Sequence, residues 1–183
     1  GNSPLCWVYA MLATIETEHL MQGDSVNLSP DYVARMWLTE RARFSYLSKG
    51  KHTINMRGMA SMTLNIIQRY GLEPFDAYPN YNGVNYNVMA RTATQIAHAA
   101  TSFDILENRL DDALNHNIGY LPPTLFMFGV EYTPLEFAHS VCLPGEYEAL
   151  TSFSLHPFNQ KFVLETPDNQ LRDSFMNVPL DSM

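Results

Sequence analysis

The stretch Ser3-Pro4-Leu5-Cys6-Trp7-Val8-Tyr9-Ala10 decides how this chain is read. Serine favours the N-cap of a helix and proline its first position, so the pair predicts a helix start with Cys6 in the first turn. Unpaired backbone N–H groups and the positive end of the helix dipole favour an anion at that place. The thiolate is the nucleophilic form of cysteine. Apolar residues recur at Leu5, Val8, Tyr9, Leu12, Ile15 and Leu20, alongside His19, with Ala10, Met11 and Ala13 on other faces as far as Met21. A helix apolar nearly all round is expected to be buried in a large core. The alternative for Cys6 is a core cysteine that packs as a small hydrophobe.

The blocks Cys6-Trp7-Val8-Tyr9-Ala10, Ile15-Glu16 and Leu28-Ser29 follow in order. Together they resemble the Cys-Trp-x-aromatic-small, Ile-Glu and Leu-Ser pattern of the papain-type cysteine peptidases. Ser3-Pro4-Leu5 stands where that signature has Cys-Gly-Ser/Ala, and Ser3 in place of the additional cysteine implies a branch without that disulfide. A second set of blocks is similar to the bleomycin hydrolase and aminopeptidase C branch. It comprises Tyr132-Thr133-Pro134-Leu135-Glu136-Phe137-Ala138, Leu150-Thr151-Ser152-Phe153, His156-Pro157-Phe158, Phe162-Val163-Leu164-Glu165, Pro167-Asp168-Asn169 and Asn177-Val178-Pro179-Leu180-Asp181. Tyr70-Gly71-Leu72-Glu73-Pro74 with Tyr78-Pro79 belongs to the same likeness, whereas roughly Asn80 to Gly119 carries little of it.

The resemblance implies an α+β, papain-like fold of which residues 1–183 are the mainly helical amino-terminal portion. The nucleophile-bearing helical part would run to about residue 80, with a helical and strand segment from about 81 onward. Cys6 would attack a peptide carbonyl, form a thioester acyl-enzyme and offer its own N–H to the oxyanion. The partner histidine, the asparagine that orients it and an oxyanion glutamine are expected outside the chain, the glutamine falling immediately before Gly1. An isolated fragment is therefore expected to be inactive. Gly58 resembles the second glycine of a Gly-Gly pair whose backbone pairs with extended substrate, although Arg57 replaces the first. A loop glycine at a helix entrance is the other reading. Trp7 is a second candidate substrate contact.

Roughly 130–150 residues separate cysteine from histidine in this family, a window that contains His139 and His156. Neither has the expected surroundings, since His139 falls in a short helical pattern and Pro157 follows His156. His19 reads as a satisfied core histidine, and His52, His98 and His116 have no partner at metal-ligand spacing. Cys142, near Pro144-Gly145, reads as a packing cysteine. No metal or cofactor motif is present.

The resemblance implies peptide substrates, the remainder of the same peptidase as a partner, and a hexameric assembly that removes residues from peptide amino termini. Two rival functions are an inactive papain-fold binding protein and an acyltransferase that uses the same thioester. The family and the lack of a disulfide framework favour a cytoplasmic location, with secretion left open. A formal charge of −8 across 183 residues argues against a nucleic-acid partner. No apolar run of about 18 residues predicts a membrane span, and 46% hydrophobic residues can supply a core.

Local patterns predict a second helix from Leu28-Ser29-Pro30 to Lys49-Gly50 and a third from about Met59 to Tyr70, stopped by Gly71. Asn80-Tyr81-Asn82-Gly83 reads as a turn. Further helices are expected over 88–100 and 104–115, with a short one after Thr133-Pro134. Leu125 to Val130 and Lys161 to Glu165 read as strands.

Overall fold

Helix α1, Cys6–Met21, begins the architecture, and it begins one step later than the sequence suggests. In the computed structural model, which describes residues 3–79, 83–127 and 129–183, Leu5 is the N-cap and offers no capping side chain. Ser3 and Pro4 belong to a preceding turn in which Ser3 Oγ accepts the Leu5 N–H at 3.2 Å. The expectation of Ser3 as N-cap and Pro4 at the first helical position is thus corrected, while Cys6 keeps its place at the helix start. The expected all-round burial is corrected as well. Trp7, Val8, Met11, Leu12 and Ile15 form one buried face, and Tyr9, Ala10, Ala13, Thr14 and Met21 are exposed on the other.

Helix α2, Pro30–Leu47, starts as expected. Ser29 Oγ accepts the Tyr32 N–H at 3.1 Å and donates to the Tyr78 carbonyl at 2.6 Å, with Pro30 in the first turn. The Ile15-Glu16 and Leu28-Ser29 blocks are joined physically, because the Glu16 carboxylate accepts the Leu28 N–H at 2.7 Å. Glu73 adds a backbone tie by accepting the Ser29 N–H at 2.9 Å. These bonds set α2 against α1 and satisfy polar groups that burial would otherwise leave unpaired.

Helix α3, Ala60–Tyr70, ends at Gly71, whose φ of 87° suits glycine. Helices α4, Tyr86–Ala99, and α5, Phe103–Asn117, are capped by Asn85 and Ser102 and pack on α2 and on each other. Leu106, Leu110 and Leu114 place one buried stripe on α5, each worth about 1.5–3 kcal/mol of transfer free energy. Arg35 crosses from α2 to bind the Gly119 carbonyl at 2.6 Å, the Tyr78 hydroxyl at 3.0 Å and Asp111. The apolar core runs continuously from Leu5 through Leu125 to Cys142. Asn80, Tyr81 and Asn82, three residues of the expected turn, lie outside the described residues.

Leu125 to Val130 is not one strand. Leu125–Met127 (β1) and Val130–Tyr132 (β2) form an antiparallel hairpin, which the apolar run conceals. Helix α6, Pro134–Val141, carries a capping box between Thr133 and Glu136. Three short strands close the fold: β3, Leu150–Thr151; β4, Gln160–Val163; and β5, Ser174–Asn177. Their order is β3-β5-β4, with β3 parallel and β4 antiparallel to β5. Asn177 is fully buried at the hub and donates to the carbonyls of Phe153, His156 and Pro157 at 2.9–3.1 Å. The chain is therefore α+β, with six helices and two small sheets among the described residues.

Candidate active site

Cys6 is exposed at the first position of α1, and Cys142 is buried. The two are free, not paired. The Cys6 N–H donates to the Ser3 carbonyl at 3.3 Å, a long bond within the turn that precedes the helix. Among the described residues no hydrogen bond joins the Cys6 thiol to a histidine.

Trp7 points the opposite way from Cys6, into the core, and is 5% exposed. Its ring meets that of Trp37 edge to face, with centroids 5.5 Å apart and planes at 72°. The two indoles then hold one strip of backbone. Trp7 Nε1 donates to the Met56 carbonyl at 2.8 Å and Trp37 Nε1 to the Asn55 carbonyl at 3.0 Å. Two residues along that strip, Gly58 lies on the Trp7 ring so closely that a β-carbon would fall 2.6 Å from Cε2. Glycine is required here by close approach to a buried ring, a packing reason distinct from the substrate role suggested by the sequence. The Gly58 N–H and C=O make no hydrogen bond among the described residues, so its peptide edge is open.

A second set of ties comes from the far end of the chain. Gln170 Nε2 donates to Asn55 Oδ1 at 2.7 Å and to the Arg57 carbonyl at 2.8 Å. Arg57 Nε donates to Asp168 Oδ1 at 2.5 Å, and the Arg57 N–H to Asn55 Oδ1 at 3.0 Å. Trp37, Asn55, Asp168 and Gln170 were not legible as site residues. The one available signal was Asp168, within the Pro167-Asp168-Asn169 block. Trp7 thus packs against Gly58, and Cys6 is the residue that precedes Trp7 at the start of α1.

The histidines lie elsewhere. His139 is exposed on α6, and His156 stacks on Phe162 with centroids 4.0 Å apart in the strand region. His19 is satisfied, with Nε2 2.8 Å from the Val141 carbonyl and Nδ1 3.1 Å from Asp24, but it is partly exposed at the edge of the core and not within it. Those acceptors, the carbonyl foremost, push its pKa above the ordinary histidine value. Burial, with smaller contributions from Glu146 and Glu18, pushes the Cys142 thiol up to about 11. Burial likewise raises Glu73 to about 7, against a smaller opposing pull from Arg35. Among the described residues no group of three His, Cys, Asp or Glu side chains is placed to hold a metal, and no helix is long and apolar enough to cross a membrane.

The exposed flank of α1 forms a shallow depression of about 780 Å³ lined by Ala10, Ala13, Thr14, Thr17 and Met21, with Glu18 and Gln22 as its polar residues. Thr14 and Thr17 turn their hydroxyls back onto the carbonyls of Ala10 and Ala13 at 2.9 and 2.6 Å. The flank therefore presents mainly methyl and methylene surface.

No protein-family model and no curated protein matches the sequence. Among solved structures the fold is similar to that of PepW from Lactobacillus rhamnosis HN001, at 15% identity and a TM-score of 0.61. The alignment covers 98% of this chain and 52% of PepW, so the chain spans about half the length of that structure.

Proposed function

We propose that the chain is the nucleophile-bearing portion of a papain-like cysteine peptidase of the bleomycin hydrolase and aminopeptidase C type. The observation that carries this reading is an exposed Cys6 at a helix start whose following residue, Trp7, packs against Gly58, a glycine with an unbonded N–H and C=O among the described residues. The fold likeness to PepW and the bonded Glu16–Leu28 blocks are consistent with it.

In this mechanism a histidine supplied by the remainder of the peptidase takes the Cys6 proton. Cys6 Sγ then adds to the substrate carbonyl carbon, and the developing oxyanion accepts the Cys6 N–H in place of its long bond to Ser3. Collapse expels the amine, which leaves with the proton returned by the imidazolium, and water then hydrolyses the thioester. Gly58 would pair its free N–H and C=O with an extended peptide, a mode in which main-chain bonds supply affinity. Trp7 would act beneath Gly58, as its floor. The remainder of the peptidase would cover the exposed flank of α1, and assembly as a hexamer belongs to the same proposal.

The test is the reaction of the chain with a peptidyl chloromethyl ketone, each rate divided by that of iodoacetamide on the same protein. Mass spectrometry should find Cys6 alkylated, with the peptidyl reagent favoured about tenfold over its ratio on the urea-unfolded chain, equivalent to about 1.4 kcal/mol of groove binding. Equal ratios in the folded and unfolded chain would reject the reading.

A further inference from the structure

Resting on that reading of Cys6 and Gly58, we propose that Arg57 is a specificity-determining residue that favours peptides with a carboxylate side chain close to the bond to be cut. Arg57 immediately precedes Gly58, and its backbone is fixed on both sides. Its N–H is held by Asn55 Oδ1 and its carbonyl by Gln170 Nε2, while Gln170 also grips Asn55. The side chain by contrast stands 64% exposed on this anchored base.

Guanidinium carries five N–H donors in a planar fork suited to carboxylates. Only Nε is engaged, by Asp168 Oδ1. The two Nη groups make no hydrogen bond among the described residues. Asp168 therefore orients the fork from one edge and leaves the other for a second carboxylate. A peptide laid along the open edge of Gly58 would carry its neighbouring side chains past that free edge, within reach of an arginine.

The charge of the rest of the chain sharpens the inference. With a net −8 the overall field favours basic peptides, so an acidic preference must come from a local cation. Lys51 and His52 lie earlier in the same connection and are exposed too. Arg57 is the cation adjoining Gly58 itself.

The experiment compares three N-acylated tripeptidyl chloromethyl ketones that differ only in carrying Glu, Gln or Lys at one position. Rates at Cys6 are divided by the iodoacetamide rate of the same variant, which cancels changes in thiol reactivity. The order Glu, Gln, Lys is expected, with Glu over Gln by roughly two- to fivefold, the effect of an exposed charge pair. Arg57→Gln should bring Glu and Gln together, and Arg57→Glu should put Lys first. Asp168→Asn should widen the advantage of Glu, because it removes the negative charge beside the fork while the Asn side-chain oxygen can still accept the Arg57 Nε–H. Equal Glu and Gln rates in the parent chain, or an advantage that survives Arg57→Gln, would overturn the proposal. If none of the three reagents discriminates folded from unfolded chain, the peptidase reading fails and this proposal with it.

Discussion

The Trp7 indole and Gly58 are in such close contact that no β-carbon fits between them, the nearest ring atom being 2.6 Å from where one would stand. The ring cannot simply swing aside, because it is buried, bonded through Nε1 to the Met56 carbonyl and set edge-on to Trp37. Gly58→Ala must therefore move the Asn55 to Met59 strip or the indole. Overpacking of this kind costs about 1–3 kcal/mol. Urea unfolding should show a loss of that size, with a change in near-ultraviolet circular dichroism from the paired tryptophans. An unchanged midpoint and spectrum would mean the contact is looser than described.

The two cysteines should separate in alkylation. Cys6 is exposed, whereas Cys142 is 7% exposed and its thiol is pushed up to about 11 by burial first and by Glu146 and Glu18 next. At pH 7.5 iodoacetamide should give a singly modified protein labelled at Cys6, with Cys142 reacting only once the chain is unfolded. Cys6→Ser should leave the circular dichroism spectrum intact and abolish native-state labelling. Peptide mapping that found Cys142 modified first would contradict the assignment.

Helix starts with local side-chain caps were legible because their determinants are adjacent in sequence. Ser29-Pro30 and Thr133-Pro134 fall where expected, and Gly50 and Gly71 mark stops through positive φ. Ser3-Pro4 misled because the same residue types also make a turn, and Leu5 became the N-cap. The tertiary context of α1 was illegible for a different reason. Apolar residues on all sides say that burial is possible, and only packing partners decide which face receives it. The candidate site was only partly legible. Cys6, Trp7 and Gly58 could be named as candidates, but Asp168 and Gln170 reach Arg57 over 111 and 113 positions of sequence, a separation that no local pattern encodes. Strands β3 and β5, of two and four residues, are too short to show a period.

Gly71 gives a sharper stability prediction than Gly58. Its φ is 87°, and a β-carbon would lie 2.2 Å from the Pro134 carbonyl carbon and oxygen. The neighbouring Leu72 N–H donates to that same carbonyl at 3.0 Å and fastens the end of α3 to the start of α6. Gly71→Ala therefore meets backbone rather than a movable side-chain tip, and adds the strain of a left-handed conformation. A loss above about 3 kcal/mol is expected, with hydrogen exchange accelerated first in α6. Wild-type exchange in α6 would remove the basis of the prediction.

Glu73 should make stability fall as pH rises. Its carboxyl is fully buried, and neither oxygen has a hydrogen-bond partner among the described residues. Desolvation raises it from an ordinary 4.5 to about 7, with Arg35 opposing. Below the ordinary value the group is neutral in both the folded and the unfolded chain and adds no pH-dependent penalty. Between that value and about 7 the unfolded chain releases the proton and the folded chain keeps it, so stability is lost progressively. Above about 7 both are ionised and the penalty is complete, at about 3 kcal/mol. Glu73→Gln keeps the shape and removes the titration. Denaturant unfolding should find the variant and the parent alike near pH 4.5, with the variant the more stable by about 2–3 kcal/mol at pH 8. A difference that stayed constant across this range would show that the Glu73 carboxyl is not the titrating group.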